Sequence, residues 1–97
     1  MKIVGKGALH QSLGNYLKEK RIESGLTQSE VAKKLGYSTP QFISNFERGL
    51  CSPPLKNLKI LVRLYKIDAA ELMDLIMEEQ ENILQKALNV KGRRKRA

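Results

Sequence analysis

Glycine and proline interrupt this chain at intervals that leave five stretches long enough for a helix, and no stretch shows the period-two alternation of a half-buried strand. The first runs from about Ser12 to Ser24, carries Leu13, Leu17 and Arg21 on one stripe, and stops at Gly25. The second opens with Thr27-Gln28-Ser29-Glu30, a capping box in which Thr27 and Glu30 satisfy orphan amides. Val31, Ala32 and Leu35 face inward from it, and Gly36 ends it. The third begins at Thr39-Pro40, where proline suits the first helical position and the residue before it takes the extended geometry of a cap. Ile43, Phe46 and Glu47 share its inner face, and Gly49 closes it.

Ser52-Pro53-Pro54 turns the chain into a fourth helix with Leu55, Leu58, Leu61, Val62 and Tyr65 as its apolar stripe. The fifth opens at Asp68 with a second capping box, Asp68 to Glu71, flanked by Ile67 and Leu72 as a hydrophobic staple, and continues to about Asn89. The expectation is one all-α domain of five helices over its 97 residues, the last helix extended. Residues 1–11 read as a flexible arm, 12–77 as the folded domain, 78–90 as a helical extension, and 91–97 as a disordered basic tail.

Charge is segregated along the chain. Residues 1–67 hold twelve Lys and Arg against four acids, residues 68–90 hold one Lys against six acids, and residues 91–97 hold five basic residues and no acid. Such alternation implies two basic modules suited to a polyanion and an acidic segment turned away from it. No apolar run exceeds three residues, which excludes a membrane span and a signal peptide and implies a cytoplasmic setting. Cys51 is the only cysteine and His10 the only histidine, so an internal disulfide and a thiolate–imidazole metal site are excluded.

Two short helices separated by Gly36-Tyr37-Ser38 form a helix-turn-helix. The stretch from Leu13 to about Ile76 resembles the phage-repressor (Cro-type, xenobiotic-response-element) family of DNA-binding proteins. The residues carrying the resemblance are Gly25-Leu26-Thr27-Gln28, Val31-Ala32-Lys33-Lys34-Leu35-Gly36 and Ile43-Ser44-Asn45-Phe46-Glu47-Arg48-Gly49. The turn, Gly36-Tyr37-Ser38-Thr39-Pro40, is about one residue longer than is usual there. The resemblance implies a repressor-like fold and a transcriptional regulator of double-stranded DNA, bacterial or phage-encoded and associated with the nucleoid. In that motif the second helix enters the major groove while the first lies across the backbone.

Gln28 then matches a glutamine that touches a phosphate, with Arg48 and Lys56 as further backbone contacts. With Ile43 and Phe46 in the core, Gln41 and Asn45 point outward one turn apart, and their amides suit adenine edges; Thr39 and Ser44 support them. Phe42 either presses on a thymine methyl or covers the turn beside Tyr37. Arg21 and Glu47 both fall on core-facing stripes, where an unpaired ion is expensive. The family has an arginine–glutamate pair at these positions, which implies a structural brace between the first helix and the recognition helix.

Other candidates carry less. His10 reads as a solvated residue of the arm, and Cys51 has no evident redox partner. Asp74, Glu78 and Glu81 form a carboxylate array on the solvent face with no second type of ligand beside it. No nucleophile–base pair or phosphate loop exists, so neither enzyme activity nor a cofactor or metal is expected. Single-stranded RNA binding lacks its aromatic platform, with five aromatic residues of which several turn inward.

The fifth helix has a wide apolar face centred on Leu72, Leu75, Ile76, Ile83, Ala87 and Val90, spread further by Met73, Met77, Leu84 and Leu88. One monomer covers only its first turns. Ile76, Met77, Ile83, Leu84, Ala87 and Leu88 are therefore expected to meet a partner, and two readings stay open. One is a symmetric homodimer on a pseudo-palindromic operator. The other is an antitoxin, as some members of the resembled family are, whose distal helix neutralises a protein partner while the helix-turn-helix represses its own promoter. Lys91, Arg93, Arg94, Lys95 and Arg96 read as a tail that meets phosphates without reading bases.

Overall fold

A computed structural model describes residues 9–90. It contains α1 (Gln11–Glu23), α2 (Gln28–Leu35), α3 (Gln41–Glu47), α4 (Leu55–Leu64) and α5 (Ala69–Ala87), with no strand among the described residues. All five helices end on the same pair of reversed backbone bonds: Leu26 to Arg21, Tyr37 to Ala32, Leu50 to Asn45, Ile67 to Val62 and Val90 to Gln85 span the ends, each enclosing a second bond between the residue before the donor and the residue after the acceptor. The left-handed residue that permits this is Gly25, Gly36 or Gly49 in the first three helices, but Lys66 and Asn89 in the last two. Glycine therefore marked only part of a general rule.

The helices enclose one core built from Leu13 and Leu17 of α1, Val31 and Ala32 of α2, Ile43 and Phe46 of α3, Leu61 of α4 with Tyr65 just beyond it, and Ile67 and Leu72 around the start of α5. α1 lies so close to the end of α3 that a Cβ on Gly14 would meet the carbonyl oxygens of Phe46 and Glu47 at 2.6 Å. Nearby, Gly49 takes φ +77°, and a Cβ there would meet the Gln11 backbone at 2.8 Å. Only hydrogen atoms at these two positions let α1 seat against the α3 terminus.

Four local expectations need correction. The first helix begins at Gln11, and His10, its N-cap, is bonded through its backbone N–H to Gly49 O at 3.1 Å, so the arm does not extend to residue 11. The His10 ring is not simply solvated: its Nδ1 lies 3.3 Å from Glu79 Oε1. The second capping box is half formed. Asp68 Oδ1 accepts from the amides of Ala70 and Glu71, but the Glu71 carboxylate accepts from Tyr16 OH at 2.8 Å. In α4, Leu55 is 76% exposed and Asn57 is buried in its stead. Asn57, Leu61 and Tyr65 recur every four residues and so share the inward face, which leaves the first residue of the helix to one side.

Candidate nucleic-acid interface

α2 and α3 are joined by residues 36–40, a turn fixed by one glycine conformation and two side-chain contacts. Gly36 is left-handed at φ 85°; Tyr37 stacks on Phe42 at 4.6 Å between ring centroids; and Tyr37 OH accepts from the buried Asn57 Nδ2 at 2.7 Å. Phe42 thus covers the turn, while about half of it stays exposed. α2 starts with the expected reciprocal box: Glu30 N donates to Thr27 Oγ1 and Thr27 N donates to Glu30 Oε1. At the head of α3, Pro40 is the cap rather than the first helical residue, and Thr39 Oγ1 accepts from Gln41 N at 3.3 Å.

Ile43, Phe46 and Glu47 bury the inner face of α3. On the outer side Gln41 and Arg48 are exposed, and Ser44 and Asn45 are half-buried. Gln41 Nε2 donates to Asn45 Oδ1 at 3.0 Å, and Arg48 donates to the same oxygen at 2.9 Å. These side chains are thus tied to one another along the helix surface. Lys56 is exposed in the first turn of α4.

Behind this face, Arg21 grips Glu47 through two bonds, Nε to Oε2 at 2.6 Å and Nη2 to Oε1 at 3.1 Å. Its third nitrogen donates to Leu26 O at 2.8 Å, and Gln28 Nε2 donates to Glu47 Oε1 at 2.9 Å. Every buried polar side-chain atom among the described residues has a partner. The hydrogen bond to Glu47 pushes the Arg21 pKa up against the opposing effect of burial. Burial, then the Glu47 charge, raises the Tyr65 phenol above its ordinary value. One N–H of Gln28 is thereby committed inward, and the other is left over.

The apolar face of α5 is divided. Leu72 is buried, and Leu75, Ile76 and Ile83 are half-buried. Met77, Leu84 and Leu88 are 65%, 50% and 67% exposed, and Ala87 is exposed beside them. Met77, Leu84, Leu88 and Val90 line a shallow apolar groove together with Glu78 and Glu81. The basic tail, Lys91 to Arg96, lies outside the described residues.

The sequence reading missed the contact that seats α5. Glu79 is buried, and its Oε2 accepts from Leu13 N at 3.0 Å while Oε1 faces His10. Leu13 is the third residue of α1, so Glu79 performs from a distant helix the task of a capping side chain. A signal was present, because Glu79 stands in register with Leu72, Ile76 and Ile83 and so belongs to the inward stripe.

The helix-turn-helix family profile matches residues 17–72. The chain is 33% identical over 81 residues to the HTH-type transcriptional regulator ImmR of Bacillus subtilis (strain 168), across 80% of this chain and 63% of that protein. It therefore spans less than two thirds of that relative's length. No solved structure matches it. Among the described residues, no helix is long and apolar enough to cross a membrane. With a match that begins in α1, takes in α2, the turn, α3 and α4 whole, and ends in α5, the chain belongs to the Cro-type (xenobiotic-response-element) helix-turn-helix family of DNA-binding proteins.

Proposed function

We propose that this chain is a sequence-specific regulator of transcription that binds double-stranded DNA with α3 in the major groove and represses by occupying its operator. The observation that carries the reading is the outer face of α3. Its polar side chains bond along the helix itself, while the opposite face is core and is braced from behind by Arg21 and Glu47. Thr39, Gln41, Ser44 and Asn45 meet base edges, and Gln28, Arg48 and Lys56 meet the phosphates. The name of the Bacillus relative and the basic excess of residues 1–67 support this assignment. The reading involves no catalysis and no cofactor, and it places the protein with the DNA of a bacterial cytoplasm.

The exposed stripe of distal α5 supports a symmetric homodimer, whose two reading heads engage half-sites about 34 Å apart. A second reading draws on the same surface. The exposed Met73 and Met77 give it the adaptable thioether face of a protein-binding element, as an antitoxin would use.

Selection of bound duplexes from a random pool tests the DNA reading. Gln41→Ala is expected to cost roughly 1–3 kcal/mol on the selected site and little on random DNA. Equal losses on both would refute base readout. Sedimentation with hydrogen exchange over residues 72–90 separates the partners: a dimer protects the stripe unaided, whereas an antitoxin segment exchanges freely until its partner arrives. Removing residues 91–97 is expected to flatten the salt dependence and to weaken specific and random binding alike.

A further inference from the structure

Asn45 Oδ1 is the meeting point of the reading face, accepting from Gln41 Nε2 at 3.0 Å and from Arg48 at 2.9 Å. A guanidinium carries only donors, so the oxygen of the Asn45 amide has to face Arg48. That orientation is dictated by chemistry, and Gln41 must then offer its NH₂ to the same oxygen. A carbonyl oxygen has two lone pairs, and here both are occupied.

Asn45 is left with its two Nδ2 donors and no acceptor to offer a base. The bidentate pair with adenine needs an acceptor for the N6 amino group and a donor for N7 on one amide. Asn45 as held here cannot supply both without giving up two hydrogen bonds. Guanine, with acceptors at O6 and N7 on its major-groove edge, matches a donor-only reader. Gln41, by contrast, spends one N–H on Asn45 and keeps an N–H and its Oε1, the combination adenine requires.

We infer that Arg48 is a specificity-determining residue, which by occupying Asn45 Oδ1 makes Asn45 a reader of guanine rather than of adenine. The inference rests on α3 being the recognition helix, and it gives Arg48 a role beyond a phosphate contact. It departs from the expectation that both amides on α3 favour adenine.

The test is selection from a random duplex pool with the full chain, followed by titration of single-base variants of the selected site. Asn45→Ala identifies the position that Asn45 reads, as the one whose preference disappears. The expected result is guanine at that position for the unaltered chain. Arg48→Met, which keeps the stem and removes the donors, is expected to move that one position toward adenine, changing the guanine-to-adenine affinity ratio about tenfold. Asn45→Asp, which keeps the acceptor and loses the donors, is expected to abolish the guanine preference. An Arg48→Met chain that loses the same factor on every duplex and still selects guanine would overturn the inference while leaving the DNA reading intact, as would adenine at the Asn45 position in the unaltered chain. An unaltered chain that selects no sequence at all would overturn both. Arg48 is exposed, so a melting temperature unchanged in the variant confirms that the fold is not the cause.

Discussion

Residues 69–76 and 77–87 are parts of one continuous helix and carry similar apolar side chains, yet their surroundings differ. In the first part Leu72 enters the core and Glu71 accepts from Tyr16 of α1. Past it, Glu79 still reaches the N-terminus of α1, but Met77, Leu84 and Leu88 lie on the side that no other helix covers. The inward part is held by the Tyr16–Glu71 hydrogen bond and packed apolar groups. Beyond Glu79, the outward part is held chiefly by its own backbone bonds, which are adequate in a helix continuous with a docked one. Substitutions in the packed body therefore report on folding, and those on the outer stripe test the proposed association.

The largest expected effect lies deepest in the body. Removing Arg21 or Glu47 alone leaves a desolvated ion without its countercharge and is expected to cost about 3–5 kcal/mol, while replacing both with apolar residues costs much less. Chemical denaturation of the two single variants and the double variant measures this. Strictly additive losses would contradict the brace and weaken the contrast with the outer stripe.

Glu79 sits on the boundary. Glu79→Ala removes the tertiary cap of α1 and is expected to destabilise the chain by about 1–2 kcal/mol. Increased hydrogen exchange should appear at Leu13 and along the second half of α5 together. A loss confined to either helix would mean that Glu79 does not couple them.

A smaller effect depends on pH. Burial, then the hydrogen bond to Glu71, raises the Tyr16 phenol from 10.0 to about 12. The unfolded chain releases this proton near pH 10 while the folded chain retains it, so the contribution is complete below pH 10 and declines as pH rises toward 12. Tyr16→Phe is expected to flatten the stability profile in that window. An unchanged alkaline slope would show that the contact between α1 and α5 does not govern it.

The smallest effect on folding, and the sharpest test of the comparison, is Leu84→Asp. It should change the unfolding free energy of an isolated chain by no more than about 0.5 kcal/mol, as surface positions do. In sedimentation it should shift a dimer toward monomer and weaken binding to a paired operator more than to one half-site. An unchanged mass together with a large stability loss would mean that the stripe is covered by its own chain. Ile83 is less suited to this test, because it is half-buried and lies near Gln11 and Ser12.

Much of the outer face of α3 was legible because helical period alone decides it. Once Ile43 and Phe46 point inward, Gln41 and Asn45 must point outward. Their mutual bonds were not legible, since several rotamers satisfy the same period and only the presence of Arg48 selects among them. The two capping boxes make the same point. Thr27 and Glu30 close on each other as expected, whereas Asp68 caps alone because Glu71 is claimed by Tyr16, 55 residues away.

The sequence by itself determined the five helices and most of their inward stripes and ends. These depend on caps, turn residues and periodicity acting within a few residues. It also made a buried ion pair necessary, because Arg21 and Glu47 stand on stripes that face the core. The tertiary structure alone decided the allocation of distant partners: Glu79 to α1, Glu71 to Tyr16, and Asn57 to Tyr37. It also decided where along α5 the cover stops. A carboxylate or an amide has several donors within reach in sequence, and which of them arrives within 3 Å depends on how whole helices cross, set by packing such as that at Gly14.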